Sequence, residues 1–135
     1  MGAVIDSSLW VDYFRRGTPR SVLEQVIGLV DDADALLCEP VRFEILRAAL
    51  RAERKRIDAV FDTIPLLPSP HDLWHQAALL GQRCLDAGFH PRTMDLLIAQ
   101  VALHHGAELM TFDKHFADIA RVTPLKLQLL KRAAA

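Results

Sequence analysis

The sequence predicts an α/β fold, a mostly parallel central sheet with helices on both faces, and three observations carry the prediction. Short apolar runs at residues 3–5, 35–38 and 109–111 are each followed by segments whose apolar residues recur at helical spacing. Strands that alternate with helices in this way belong to crossover units, which build parallel sheets covered on both faces. Glycine and proline fall between the periodic segments, at Gly17-Thr18-Pro19, Pro65 to Pro70, Gly88 and Gly106, where turns belong.

The elements follow in order. Ala3-Val4-Ile5 reads as a buried strand, and Asp6-Ser7-Ser8 as the polar start of a helix running from Leu9 to Arg16. From Ser21 to Val30, apolar Val22, Leu23, Val26, Ile27 and Val30 make one amphipathic helix. Residues 35–38 form a second strand. Pro40 then opens a helix with Val41, Phe43, Ile45, Leu46, Ala49 and Leu50 toward the core. A further helix is expected over 57–64, a short strand at Leu66-Leu67, and a long amphipathic helix over 71–87 that stops at Gly88. From Thr93 to Leu103 the chain is apolar on nearly every face apart from Asp95 and Gln100, the mark of a central, doubly covered helix that ends at His104-His105-Gly106. A third strand at 109–111, a short helix over 114–120 and a final strand over 125–130 complete the pattern. Neither a repeat nor a linker interrupts it, so residues 1–135 read as one domain.

Composition bounds the function. The chain has 135 residues, 51% hydrophobic and 24% charged, which suits a packed core and excludes a disordered polymer. No apolar run reaches the roughly 18 to 20 residues of a membrane helix, and residues 1–6 lack the basic and apolar regions of an export signal. A cytoplasmic location is expected. Cys38 and Cys84 have no CxxC partner and read as small core residues. A net charge of −1 rules out a uniformly basic surface, so contact with nucleic acid would need a local patch.

Four acids fall where chemistry belongs in such a fold. Asp6 follows the first strand, Glu44 lies near the start of the helix after the second, Asp95 is in the first turn of the buried helix, and Asp113 follows the third strand. In parallel α/β sheets the carboxyl ends of the strands line the ligand crevice where strand order reverses, and carboxylates from separate elements suit a hard divalent cation. Each acid also has a structural explanation. Asp6 and Asp113 can be helix caps, Asp95 can favour the positive end of a helix dipole, and Glu44 can pair with Arg47 or Arg51. Asp95 weighs most toward a site, because a charge on a helix that is apolar all round is costly without a partner or a metal.

The segments Val4-Ile5-Asp6-Ser7-Ser8-Leu9-Trp10, Glu44-Ile45-Leu46-Arg47, Asp95-Leu96-Leu97-Ile98-Ala99 and Leu109-Met110-Thr111-Phe112-Asp113-Lys114-His115-Phe116 resemble, in order and spacing, the successive acidic motifs of VapC-type PIN domains. The resemblance spans essentially the whole chain. It implies a three-layer PIN-like sandwich and a Mg²⁺-dependent endoribonuclease, with Mn²⁺ also serving, that acts as the toxin of a toxin–antitoxin pair. It further implies that Asp6, Glu44, Asp95 and Asp113 form the metal-binding cluster, that Ser7 is the hydroxyl residue after the first acid, and that Thr111 lies near the metal waters. Many relatives carry a second aspartate two residues after the fourth acid. His115 stands there in this chain, which points away from a second metal and offers a phosphate contact instead. The implied partners are a structured transfer or ribosomal RNA, a small antitoxin that lays a segment across the acidic pocket, and a second copy of the chain. Cleavage by a metal-activated water would leave a 5′-phosphate and a 3′-hydroxyl.

Positive charge concentrates on and after the helix carrying Glu44, at Arg42, Arg47, Arg51, Arg54, Lys55 and Arg56, and spacings of three and four bring several to one side. This stripe reads as a path for an RNA backbone or as a solvated helix face. The segment His71-Asp72-Leu73-Trp74-His75 superficially matches a zinc-protease HExxH, but its acid is Asp and no third ligand is evident. The adjacent pair His104-His105 projects in different directions. The alternative to a nuclease is a PIN-like module that binds RNA or protein without cutting, and the full set of four acids speaks against it.

Overall fold

A computed structural model describes residues 2–134; Met1, at the head of the segment read for an export signal, and Ala135 lie outside the described residues. The elements are β1 (Ala3–Ile5), α1 (Ser7–Phe14), α2 (Arg20–Asp32), β2 (Leu37–Cys38), α3 (Glu39–Arg47), a 3₁₀ turn (Arg51–Glu53), α4 (Arg54–Phe61), β3 (Leu66–Leu67), α5 (Leu73–Asp86), α6 (Thr93–His105), β4 (Glu108–Thr111), α7 (Phe116–Val122) and β5 (Lys126–Leu129).

Strands β1, β4 and β5 pair in that order and β2 pairs with β3, all in parallel. Leu36 joins the two sets: its N–H donates to Ala3 O at 2.8 Å and its carbonyl accepts from Ile5 N at 3.3 Å, a parallel bridge between Val4 and Leu36. The sheet therefore runs β3-β2-β1-β4-β5, and its strand order reverses between β1 and β4. That reversal is where the crevice of a doubly wound sheet opens. Helix α1 packs on α2 and α3, and α5 packs on α6 and α7, so two helical groups cover the sheet, with α3 meeting α6.

Burial follows the expected periods with two corrections. Phe43 and Leu50, read as core residues, are 59% and 70% exposed. Helix α3 buries Pro40, Val41 and Ile45 on one side. Phe43, two residues from each of Val41 and Ile45, faces the opposite way. Leu50 lies beyond the helix altogether, because α3 stops at Arg47 and the Ala49 N–H turns back to Leu46 O. Helix α6 buries Asp95, Leu97, Ile98, Ala99, Val101 and Ala102, and ends at Gly106, whose φ of 63° lies in the left-handed region that glycine tolerates. In the core, Trp10 stacks on Phe14 at 5.8 Å and meets Phe61 edge-on at 5.1 Å. Both cysteines are free and buried, and burial pushes the Cys38 thiol up to about 12.

Candidate metal centre and cleft

Asp6 is the first residue past β1, and its N–H donates to Met110 O at 2.9 Å, which pins the end of β1 to β4. As the N-cap of α1, its Oδ2 accepts from Ser8 N at 3.2 Å, from Ser8 Oγ at 2.7 Å and from Thr111 Oγ1 at 2.7 Å. The capping explanation read from the sequence thus holds for Asp6. The bonds from Ser8 and Thr111 all fall on Oδ2. Burial raises the Asp6 carboxyl above the usual range, against the lowering effect of these donors.

Thr111 carries the network across the strand end. Its hydroxyl donates to Asp6 and accepts from Asp113 N at 2.9 Å, while Ser8 Oγ accepts from Phe112 N at 3.1 Å. The loop after β4 is held by side chains from β1's end, so Asp113 is presented beside Asp6. Asp113 does not cap α7, whose N-cap is His115 without a side-chain bond. Instead its Oδ1 accepts from His115 N at 2.9 Å and lies 2.8 Å from His115 Nδ1. His115, expected to offer a phosphate contact, meets Asp113 through Nδ1 and keeps 62% of its side chain exposed.

Asp95, in the first turn of α6, keeps only 9% of its side chain exposed. Burial pushes its carboxyl up to about 6, with Asp113 and Asp6 acting in the same direction and Arg92 against them. Arg92 spans two acids: Nε lies 3.4 Å from Asp95 Oδ2, and Nη2 donates to Asp113 Oδ2 at 2.9 Å. Glu44 is held from α1, where Ser7 Oγ donates to its Oε1 at 2.5 Å, and it bridges neither Arg47 nor Arg51 among the described residues.

The four acids line one cleft of about 700 Å³. Its wall is largely apolar, with Trp10, Val11, Phe14, Ile45, Leu50 and Ile57, and its cations are Arg15, Arg16, Arg47 and Arg92. The Trp10 Nε1 beside it is buried without a hydrogen-bond partner. The expected basic stripe does not survive as one face. Arg42 turns to Asp58 at 3.5 Å and Asp62 at 3.9 Å, and Arg54 Nε donates to Ala49 O at 3.2 Å. Arg56 stacks on Phe14 and donates to its carbonyl. The helical spacing argument fails because α3 ends at Arg47, leaving Arg51, Arg54, Lys55 and Arg56 on the next turn and helix. Sequence reading missed Ser8, Arg15, Arg16 and Arg92. Only Arg92 carried a signal, its place three residues before Asp95.

Among the described residues no three His, Cys, Asp or Glu side chains already stand at metal-site spacing. The donor set nevertheless suits a hard cation: four carboxylates from separate elements, and a guanidinium between Asp95 and Asp113 where positive charge is wanted. The zinc-like segment does not form a site. Helix α5 begins at Leu73, so His71 lies outside it, both histidines are exposed, and Asp72 accepts from Gln76. His105 contacts Pro68 O at 2.8 Å. No helix among the described residues is long and apolar enough to cross a membrane.

The family model of the PIN domain matches residues 3–122. The VapC ribonuclease of Mycobacterium bovis is 32% identical over 127 residues, 91% of this chain and 95% of the relative, and ribonuclease VapC11 of Mycobacterium tuberculosis matches at the same identity and coverage. Among solved structures, VapBC2 from Rickettsia felis bound to a promoter DNA fragment aligns over 97% of this chain and 100% of that one, with a TM-score of 0.74 at 16% identity. VapBC-1 from nontypeable Haemophilus influenzae aligns over 96% and 98%, with a TM-score of 0.72 at 18% identity. The structural likeness is one of fold; the sequence likeness extends over nearly the whole length of its relatives, and this chain belongs to the PIN-domain family, among its VapC ribonucleases.

Proposed function

We propose that residues 1–135 form one nuclease domain, a Mg²⁺-dependent endoribonuclease that serves as the toxin of a toxin–antitoxin pair in the cytoplasm. The observation that carries this reading is the arrival of Asp6, Glu44, Asp95 and Asp113, from four different parts of the fold, on one cleft at the sheet's switch point. These carboxylates would hold the ion, and Mn²⁺ would replace Mg²⁺ because both prefer oxygen ligands. When bound, such an ion lowers the pKa of a water and offsets charge on the phosphodiester.

The chain's own residues prepare that chemistry. Ser7 orients Glu44, Thr111 and Ser8 fix Asp6 through one oxygen, and His115 fixes Asp113. Preset ligands of this kind bind without first having to be ordered. Arg47, with Arg15 and Arg16, gives RNA phosphates a cationic edge along the cleft. The substrate class is a transfer or ribosomal RNA. Hydrolysis breaks the P–O3′ bond, leaving a 5′-phosphate and a 3′-hydroxyl.

A toxin–antitoxin complex from Klebsiella pneumoniae shares this fold, which supports a small antitoxin as partner. Its segment would lie on the apolar wall beside exposed Val11 and Leu50 and bring a basic side chain to the carboxylates. The toxin would act as a homodimer. The test is to incubate total RNA with the protein in Mg²⁺ and in EDTA and to map new 5′ ends. Ends at one place in a transfer or ribosomal RNA, absent in EDTA, are expected. RNA retained on the protein without new ends would replace the nuclease with a binding module.

A further inference from the structure

Arg92 is the residue that the reading above leaves without a task. It is 71% exposed, yet its guanidinium bridges two carboxylates of the acidic cleft, Asp95 at 3.4 Å and Asp113 at 2.9 Å. Asp95 is buried, and no other basic side chain bridges it among the described residues. Two carboxylates converging on one pocket repel each other, and a cation between them relieves this. The side chain emerges at Arg92, the N-cap of α6, and lies at the mouth of the cleft. A long, exposed side chain can leave a pocket without disturbing the core, because nothing is packed over it. Arg92 therefore stands where a divalent cation would stand, and it has somewhere to go when one arrives.

We propose that Arg92 is an exchangeable counter-ion: it competes with the divalent cation for Asp95 and Asp113 and, once displaced, binds a phosphate of the RNA in the same cleft. This rests on the metal-dependent nuclease reading and deepens it. With the carboxylates taken by the ion, the guanidinium loses its two anions and faces the groove in which an RNA backbone would run. A planar guanidinium pairs with phosphate oxygens as readily as with carboxylates. Arg92 is then a substrate-binding residue whose release couples metal loading to substrate capture.

The test uses Mn²⁺ alone as the first probe. Free Mn²⁺ is followed by electron paramagnetic resonance at low salt for the wild type, Arg92→Ala, Arg92→Gln and Arg92→Lys. Removing an exposed competing cation should tighten Mn²⁺ binding about three- to tenfold in the Ala and Gln variants, and Lys should stay near wild type. At saturating Mn²⁺, KM for the RNA should rise about tenfold in the Ala and Gln variants, more than kcat falls, with Lys recovering part of the loss. Melting in EDTA should drop in Arg92→Ala and recover when Mn²⁺ is added. Mn²⁺ bound equally or more weakly by Arg92→Ala, or an unchanged KM, overturns the exchange. If neither wild type nor Arg92→Ala takes up Mn²⁺, the metal-dependent reading falls too; if both do so with equal affinity, only the role of Arg92 falls.

Discussion

The Ser7 hydroxyl donates to Glu44 Oε1 across 37 positions of sequence, so the first turn of α1 orients a carboxylate on α3. Ser7→Ala should weaken folding by about 1 kcal/mol, because a half-buried acceptor loses its donor. It should also cost about tenfold in Mn²⁺ affinity, the usual effect of removing a hydrogen bond that orients a ligand. Ser7→Thr should keep most of both. Urea unfolding and Mn²⁺ titration of the two variants would check this, and an unchanged affinity in Ser7→Ala would remove Glu44 from the metal set.

Asp6 separates capping from metal binding. Asp6→Asn keeps an acceptor for Ser8 and Thr111 and loses the charge, so cleavage should fall at least about 100-fold while metal-free stability changes little. Asp6→Ala strands those donors and the first turn of α1, and should cost about 2–3 kcal/mol with or without metal. Equal destabilisation of both variants would leave Asp6 as a cap only.

The raised Asp95 carboxyl predicts an unusual pH dependence. Its folded pKa, about 6, lies above its ordinary 3.8, so the folded chain holds this proton more tightly than the unfolded one. The stability it contributes is present at acid pH and is lost as pH rises from about 4 through 6, by up to about 3 kcal/mol. Asp6, also raised, acts in the same direction. Asp95→Asn should remove its share of the slope in metal-free buffer. Mn²⁺ affinity should run the opposite way, climbing from pH 5 to 6 and levelling above it, because the ion needs the ionised carboxylate. Unfolding curves across pH, with and without Mn²⁺, would reveal either trend.

RNA binding should follow the cleft and not the sequence stripe. Arg47→Ala should weaken binding for every RNA tested and lower the salt slope by about 1. Arg42→Ala, whose guanidinium pairs with Asp58 and Asp62, should leave both unchanged. Filter binding over a salt series distinguishes them; equal effects at the two positions would restore the stripe.

Leu50 offers a test of the partner surface. It is 70% exposed and lines the apolar wall, so Leu50→Asp should change stability by no more than about 0.5 kcal/mol. Burying that carboxylate under an antitoxin segment would be costly, and the co-expressed partner should be lost on purification. Retention of the complex would move the antitoxin elsewhere.

Local pattern in the chain determined the strands and helices, the central place of α6 and the acids worth attention, because side-chain period and helix-end chemistry act over a few residues. Asp95 was legible because a lone acid broke an apolar helix. The resemblance of four motifs then supplied the family. Tertiary structure alone decided the partners that make those acids a site. Ser7 reaches Glu44 over 37 positions, Thr111 reaches Asp6 over 105, and Arg92 reaches Asp113 over 21. Such contacts depend on β4 lying beside β1, and on the turn after Arg47 that sends Leu50 outward and breaks the basic stripe. Periodicity records which face of an element is apolar. It does not record which strands are neighbours, and charges brought together by strand order can only be read once that order is known.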